Sequence, residues 1–160
     1  MRKQNKRNRQ QSRHGLAMIE FAMVLPIMIM VVLGVIEFAR AFEVSTILET
    51  AAREGARLGM LSNISTEELT ANQRVIQDVK RFVAAAGVPA EDLEVTITGW
   101  EVPNIGTPPT GNPNDVNLED ATRATYFQVE VTVPYSSVAY TSPIFLQDAT
   151  LRGNLIGRHE

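Results

Sequence analysis

An uninterrupted apolar run near the N-terminus limits what this chain can fold into. In residues 16–36, Glu20 is the only charged residue. As an α-helix the run would rise roughly 31 Å, close to the ~30 Å hydrocarbon core of a bilayer. The run therefore predicts a helix that crosses a membrane. Because a charged side chain in lipid is costly and is retained mostly for function, Glu20 is a candidate functional residue.

The charges are distributed unevenly around this run. Six of the 15 Lys and Arg residues lie among the first fourteen residues, where no acidic residue occurs. Basic tails can bind nucleic acid, but beside an apolar run they keep their end of the helix in the cytoplasm. The sequence thus predicts a basic leader at 1–15, a transmembrane helix at 16–40 and an extracytoplasmic domain at 41–160. Membrane lipid is the expected surrounding, and nucleic acid is not an expected partner.

The predicted helix does not end with the apolar run. No Gly or Pro follows in residues 37–40, and beyond them apolar and small residues recur at helical spacing. We predict one helix from Leu16 to about Leu61, transmembrane over its first half and amphipathic over its second. Pro26 removes a backbone donor inside the membrane half and predicts a kink, which is either harmless or functional.

A second helix is predicted after a short break. Ser65 and Glu68 have the spacing of a capping box, and apolar residues at helical spacing follow them. Gly87 suits a left-handed stop, and Pro89 prevents the helix from continuing.

The rest of the chain predicts a small antiparallel sheet. Apolar and polar residues alternate at 93–98 and at 127–133, and a third strand is predicted at about 149–158. The segment 101–122 is rich in Pro, Gly, Asn and Thr, which predicts a long exposed loop. The fold class is therefore α+β, with a long N-terminal helix, a second helix and a small antiparallel sheet packed on the amphipathic half of the long helix.

Residue types that carry chemistry are sparse. The chain has no cysteine, and its two histidines, His14 and His159, lie at opposite ends without partners at a metal or triad spacing. Residues 115–119 alternate oxygen ligands as part of a calcium loop does, but Asp120 stands where such a loop needs glycine. A solvated loop is favoured over a calcium site, and we expect no enzymatic activity and no cofactor.

Small residues form a stripe on the amphipathic half of the long helix. Ala51, Gly55 and Gly59 are spaced four apart, a pattern that allows close approach of another element. Because the stripe lies beyond the membrane run, packing against the domain's own sheet or second helix is favoured over a contact between subunits.

The start of the apolar run resembles a type IV prepilin signal. Gly15 is followed at the fifth position by Glu20 and then by Phe21, with the basic leader before them and the membrane run after them. The chain more closely resembles TadE-like minor pseudopilins in three blocks and, loosely, in a closing strand at 150–160. The blocks are Gly15 with Glu20-Phe21-Ala22, Val24 and Pro26; residues 34–40 (GVIEFAR); and residues 51–57 (AAREGAR).

The resemblance implies a function and a set of partners. A prepilin peptidase would cut after Gly15 at the cytoplasmic face, so that the mature protein begins at Leu16. The product would be a minor pilin-like subunit of the tight-adherence (Flp) pilus, which serves adhesion and surface colonisation. Its place would be the bacterial inner membrane or the pilus itself. Its partners would be other pilins or pseudopilins and the Tad assembly platform.

The resemblance also gives Glu20 a role. After cleavage its carboxylate would lie one helical turn from the new amine of Leu16, at the positive end of the helix dipole. It would pair with that amine or with the amine of a neighbouring subunit, and in the second case it would fix the register between subunits. The alternative is that Glu20 only reaches towards the membrane interface.

Two other functions stay open. The first is a secreted binding domain with an ordinary signal peptide, cut after Ala39-Arg40-Ala41, although the apolar run exceeds the usual 7–15 residues. The second is an uncleaved single-pass anchor that displays a binding domain.

Overall fold

The computed structural model describes residues 4–61, 68–102, 109, 111–122 and 125–159, with side chains from residue 16 onward. The chain forms two compact units, unit 1 (Met1–Phe38) and unit 2 (Ala39–Glu160).

Unit 1 is helical and exposes its apolar side chains. It contains the N-terminal part of helix α1, which runs Gln4–Gly59. In residues 16–36 every side chain is exposed apart from a half-buried Leu33. The most apolar part of α1 has a mean hydropathy of 2.6, and none of it is buried. By length and composition this helix is a candidate membrane span.

The helix begins earlier than predicted. The sequence pattern predicts a start at Leu16, but helical backbone begins at Gln4 and runs through the basic leader. The leader is rich in Lys, Arg and Gln, which are good helix formers, and no proline precedes the apolar run. Extending one helix through Gly15 therefore costs less free energy than nucleating a helix at Leu16. Pro26 lies inside α1, and its kink stays a prediction.

Within unit 2, α1 buries the predicted face. Val44, Leu48 and Ala51 are fully buried, and the buried Ala52 and Ala56 widen this face. Helix α2, Ala71–Ala85, buries one side chain in every four along its length. These are Ala71, Val75, Val79 and Val83.

The predicted start of α2 was wrong. Ser65 lies outside the described residues, and Glu68 precedes the helix. The N-cap is Thr70, whose hydroxyl accepts from the Gln73 amide (3.3 Å) while the Gln73 side chain accepts from the Thr70 amide (3.1 Å). The chain offers two capping boxes in succession. The second also receives a long-range bond, in which the Glu119 carboxylate accepts from the Ala71 amide at 3.2 Å.

The end of α2 is as predicted. Gly87 has φ +81°, the left-handed conformation that glycine adopts without strain. The amide of Gly87 donates to Ala84 O (3.0 Å), and that of Val88 donates to Val83 O (3.2 Å). This pair of bonds satisfies the last carbonyls of the helix, as a Schellman motif does.

Unit 2 contains four strands, β1 (Glu94–Glu101), β2 (Asn114–Asp115), β3 (Thr125–Pro134) and β4 (Thr150–Arg158), with a short helix α3 (Tyr135–Val138) after β3. The strands form one antiparallel sheet in the order β2-β1-β3-β4. In β3, alternate residues are buried, as their period of two predicts. The α+β fold class is confirmed.

The segment 101–122 is not wholly an exposed loop. It contains β2, and Leu118 is only 3% exposed in the core. Asn72 of α2 holds this part in place. Its side-chain amide donates to Val116 O (2.7 Å), and its oxygen accepts from the Leu118 amide (3.0 Å). The prediction failed because the long-range bonds of Asn72 leave no local pattern.

Candidate functional site

The predicted signal residues all lie in α1. Gly15 has helical backbone, and Leu16 and Phe21 are 69% and 63% exposed. Glu20 is exposed on the same helix, four residues after Leu16 and hence one turn away. Among the side chains that the structure describes, none forms an ion pair with Glu20. The Glu20 side chain is exposed to its surroundings.

The second feature is a buried arginine at the start of unit 2. The Arg40 side chain is 8% exposed, and its Nε donates to the carbonyl of Val138 at 3.0 Å. Its Nη1 pairs with Glu43 Oε2 at 2.9 Å, and its guanidinium lies 4.4 Å from the ring centroid of Tyr140. A planar guanidinium can make all three contacts at once. Arg40 thus ties α1 to the connection between β3 and β4.

We expect Arg40→Ala to loosen this connection. The change leaves the Val138 carbonyl without its donor, which should lower the free energy of unfolding of unit 2 by about 1–3 kcal/mol. Limited proteolysis of the full chain should then cut at residues 139–148 faster than in wild type. Glu43→Gln is the matched control, because Glu43 is 54% exposed and its ion pair contributes little. Equal cleavage rates in Arg40→Ala and wild type would contradict this role.

The stripe of small residues lies inside unit 2. Ala51, Gly55 and Gly59 are all buried. A Cβ at Gly55 would lie 2.5 Å from Val79 Cγ2 of α2, and one at Gly59 would lie 2.8 Å from the Phe127 ring of β3. The space beside the stripe is therefore filled by the domain's own helix and sheet.

The block at 51–57 also carries a surface ion pair. Arg57 Nε donates to Glu54 Oε2 at 3.0 Å. This hydrogen bond, together with the charge of Arg57, holds the pKa of the Glu54 carboxyl below its ordinary value. Because the Arg57 side chain is 66% exposed and that of Glu54 is 42% exposed, solvent screens the pair and its contribution to stability is small.

The acidic segment near β2 serves structure. The Asp120 carboxylate accepts from the Asn117 side chain at 2.9 Å, and Glu119 caps α2. Within the described ranges, no group of three His, Asp or Glu side chains is arranged to hold a metal ion. The side chain of His14 lies outside the described residues, and His159 is buried with its amide bonded to Thr125 O (3.1 Å).

Sequence reasoning assigned no structural role to Arg40 or to Gly153. In the sequence, Arg40 belongs to the GVIEFAR block and to the alternative signal-peptidase site, and one pattern does distinguish it. It is the first basic residue after the apolar run. Gly153 packs against the backbone of Leu48 and Glu49, which lie far away in the sequence, so no local pattern marks it.

The comparisons with known proteins agree with the resemblance seen in the sequence from Gly15 onward. The family model described as TadE-like protein matches residues 15–57. Neither the search of curated proteins nor the search of solved structures found a match. The matched segment begins at Gly15, includes Glu20 and Arg40, and ends at Arg57 within α1. Over residues 15–57, this chain is therefore similar to TadE-like proteins.

Proposed function

We propose that this chain is a minor pilin-like subunit of the tight-adherence (Flp) pilus system, cut after Gly15 by a prepilin peptidase. It is needed for pilus assembly and so for adhesion and surface colonisation. The observation that carries the proposal is the TadE-like match, which begins at Gly15 and contains Glu20 at the fifth position after it. Its partners are other pilins or pseudopilins and the Tad assembly platform.

The surface of unit 1 supports this role. Its apolar side chains are exposed, so they need either lipid or the helices of neighbouring subunits around them. A pilin-like subunit leaves the lipid and packs against the helices of neighbouring subunits when it enters a filament. Apolar helices can pack against one another in many registers. Glu20 on the same surface supplies a charged group that can fix one of them.

The buried arginine argues against an ordinary signal peptide. Cleavage after Ala41 would remove Arg40 and with it the bond to Val138 and the contact with Tyr140. The helix also continues through 39–41 without a break. An uncleaved single-pass anchor that displays a binding domain stays the main alternative.

N-terminal sequencing of the protein from cells that contain the prepilin peptidase tests the proposal. We expect the mature chain to begin at Leu16. A chain that begins at Phe42 would support the secreted protein, and one that begins at Met1 would support the simple anchor. Either of these results would overturn the proposal.

Gly15→Val should block processing. A peptidase binds extended backbone, whereas α1 is helical at Gly15, so the helix must open locally before the cut. Glycine eases this opening, because it disfavours a helix by about 1 kcal/mol relative to alanine. Valine adds bulk at the cut and stiffens the chain there. On a gel the variant should migrate as a precursor that keeps its fifteen leader residues.

Ala22→Val is the matched control for this experiment. It adds a valine side chain to the same exposed helix but away from the cut. This variant should be processed as wild type is. Normal processing of Gly15→Val would show that the cleavage site has been assigned to the wrong residue.

A further inference from the structure

The connection between β3 and β4, residues 135–149, exposes apolar side chains. Its base is closed by the pairing of Pro134 with Thr150 and by the Tyr135 amide, which donates to Ala149 O at 2.8 Å. Beyond this base, residues 140–147 contain no charged residue. Three large side chains in this stretch are well exposed: Tyr140 (68%), Ile144 (54%) and Phe145 (47%). Apolar groups grouped in this way mark a contact surface.

Packing within unit 2 shows at which end of the unit this connection lies. A Cβ at Gly157 of β4 would lie 2.8 Å from Met60 Cε, and Gly153 packs on the backbone of Leu48. Residues nearer the start of β4 therefore lie beside residues nearer the start of α1. Still nearer the start of α1, Arg40 contacts Val138 and Tyr140, which precede β4 in the chain. The connection thus lies at the end of unit 2 where α1 enters it.

Chain connectivity then limits the distance to the apolar run. The run ends at residue 36, and Arg40 follows four residues later. Four residues span roughly 6 Å as a helix and at most about 14 Å when extended. This limit holds whatever the arrangement of the two units. The polar headgroup layer on each side of the hydrocarbon core is roughly 5–8 Å thick. If residues 16–36 span a bilayer, Arg40 lies in or next to this layer.

We propose that the exposed part of this connection, residues 140–145, inserts into the headgroup boundary of the bilayer that residues 16–36 cross. Tyrosine is enriched at this boundary, because its ring is apolar and its hydroxyl is polar. Ile144 and Phe145 supply apolar area for the acyl side of the boundary, and the absence of charge removes the main cost of insertion. Arg40 holds the connection from within unit 2. The inference rests on the membrane span and not on a role in pili.

Site-directed spin labelling tests the proposal, and the cysteine-free chain allows a single label to be placed. Ile144→Cys puts a label in the connection. Ile156→Cys is the matched control, since Ile156 is also exposed (51%) but lies on β4 near the contact of Gly157 with Met60. The full-length protein is reconstituted into vesicles of phosphatidylcholine and phosphatidylglycerol. Power saturation then measures collisions of each label with oxygen, which partitions into lipid, and with a nickel chelate, which stays in water.

We expect the oxygen-to-nickel collision ratio to be severalfold higher at position 144 than at position 156. Phe145→Cys provides a second label position, and equal unfolding midpoints of the variants and wild type show that all are folded. Equal ratios at 144 and 156 would overturn the proposal. A label at 144 that both reagents fail to reach, and that becomes accessible when the protein is diluted in lipid, would also overturn it. That result would show that a second copy of the chain covers the surface.

Discussion

Replacement of Gly153 by valine is expected to unfold unit 2. Gly153 is buried in β4, and a Cβ at this position would collide with the backbone of Leu48 and Glu49 in α1. Because the colliding atoms are backbone, no rotamer change can relieve the contact, and α1 and β4 must separate. Overpacking a core typically costs 1–3 kcal/mol, and separation of two elements costs more. The total stability of a domain is only about 5–15 kcal/mol.

The fluorescence of Trp100, the single tryptophan, can follow urea unfolding of the full chain. Asn154→Val is the matched control, because it adds the same side chain to an exposed neighbour in the same strand and should keep the wild-type midpoint. Gly157→Ala should be intermediate, because the nearest atom there is the flexible end of Met60. An unchanged midpoint in Gly153→Val would mean that β4 does not pack on α1 as described.

Elements with a strong periodic pattern could be predicted from the sequence. Along α1, Val44, Leu48 and Ala51 follow the helical period and are fully buried. Along β3, alternation of apolar residues gave the buried face. Both predictions succeed because the period of the side chains decides which face can be removed from water.

Features that depend on distant partners could not be predicted. The Thr70 box defines the start of α2, yet Ser65 offers an equivalent local signal. The bond from Arg40 to Val138 joins residues 98 positions apart. The pair of residues that forms β2 is too short to show a period of two. In each case the deciding interaction is tertiary, and local propensity does not contain it.

For the candidate site, the sequence is more informative than the structure. Gly15 and Glu20 are predicted from the charge pattern and the motif, and the structure adds that Glu20 is exposed on a helix. Among the side chains that the structure describes, none pairs with this carboxylate. A carboxylate that is costly in lipid and has no partner among the described side chains is a candidate for a contact with another molecule, which is the basis of the last prediction.

Glu20→Ala is expected to abolish pilus assembly while leaving insertion and cleavage intact. A charged residue at mid-helix costs about 2.5–3.5 kcal/mol in lipid, and less near the end of the span, so its removal should ease insertion. Processing should continue, because Gly15 and Leu16 are unchanged. Assembly should fail, because the pair formed by Glu20 and the Leu16 amine of a neighbouring subunit fixes the register of otherwise uniform apolar helices. Immunoblots of sheared pili and of the membrane fraction measure the two outcomes separately.

Glu20→Gln separates the charge from the shape of this side chain. It keeps the length and the hydrogen-bonding capacity but cannot form an ion pair with an amine, so it should also fail to support assembly. Ala17→Ser is the polar control, since it changes a neighbouring exposed position without adding charge and should assemble normally. Because an interfacial carboxylate contributes nothing to docking, that alternative predicts wild-type pili in all three variants. Pili at wild-type levels in Glu20→Ala cells would therefore show that the carboxylate only reaches towards the membrane surface.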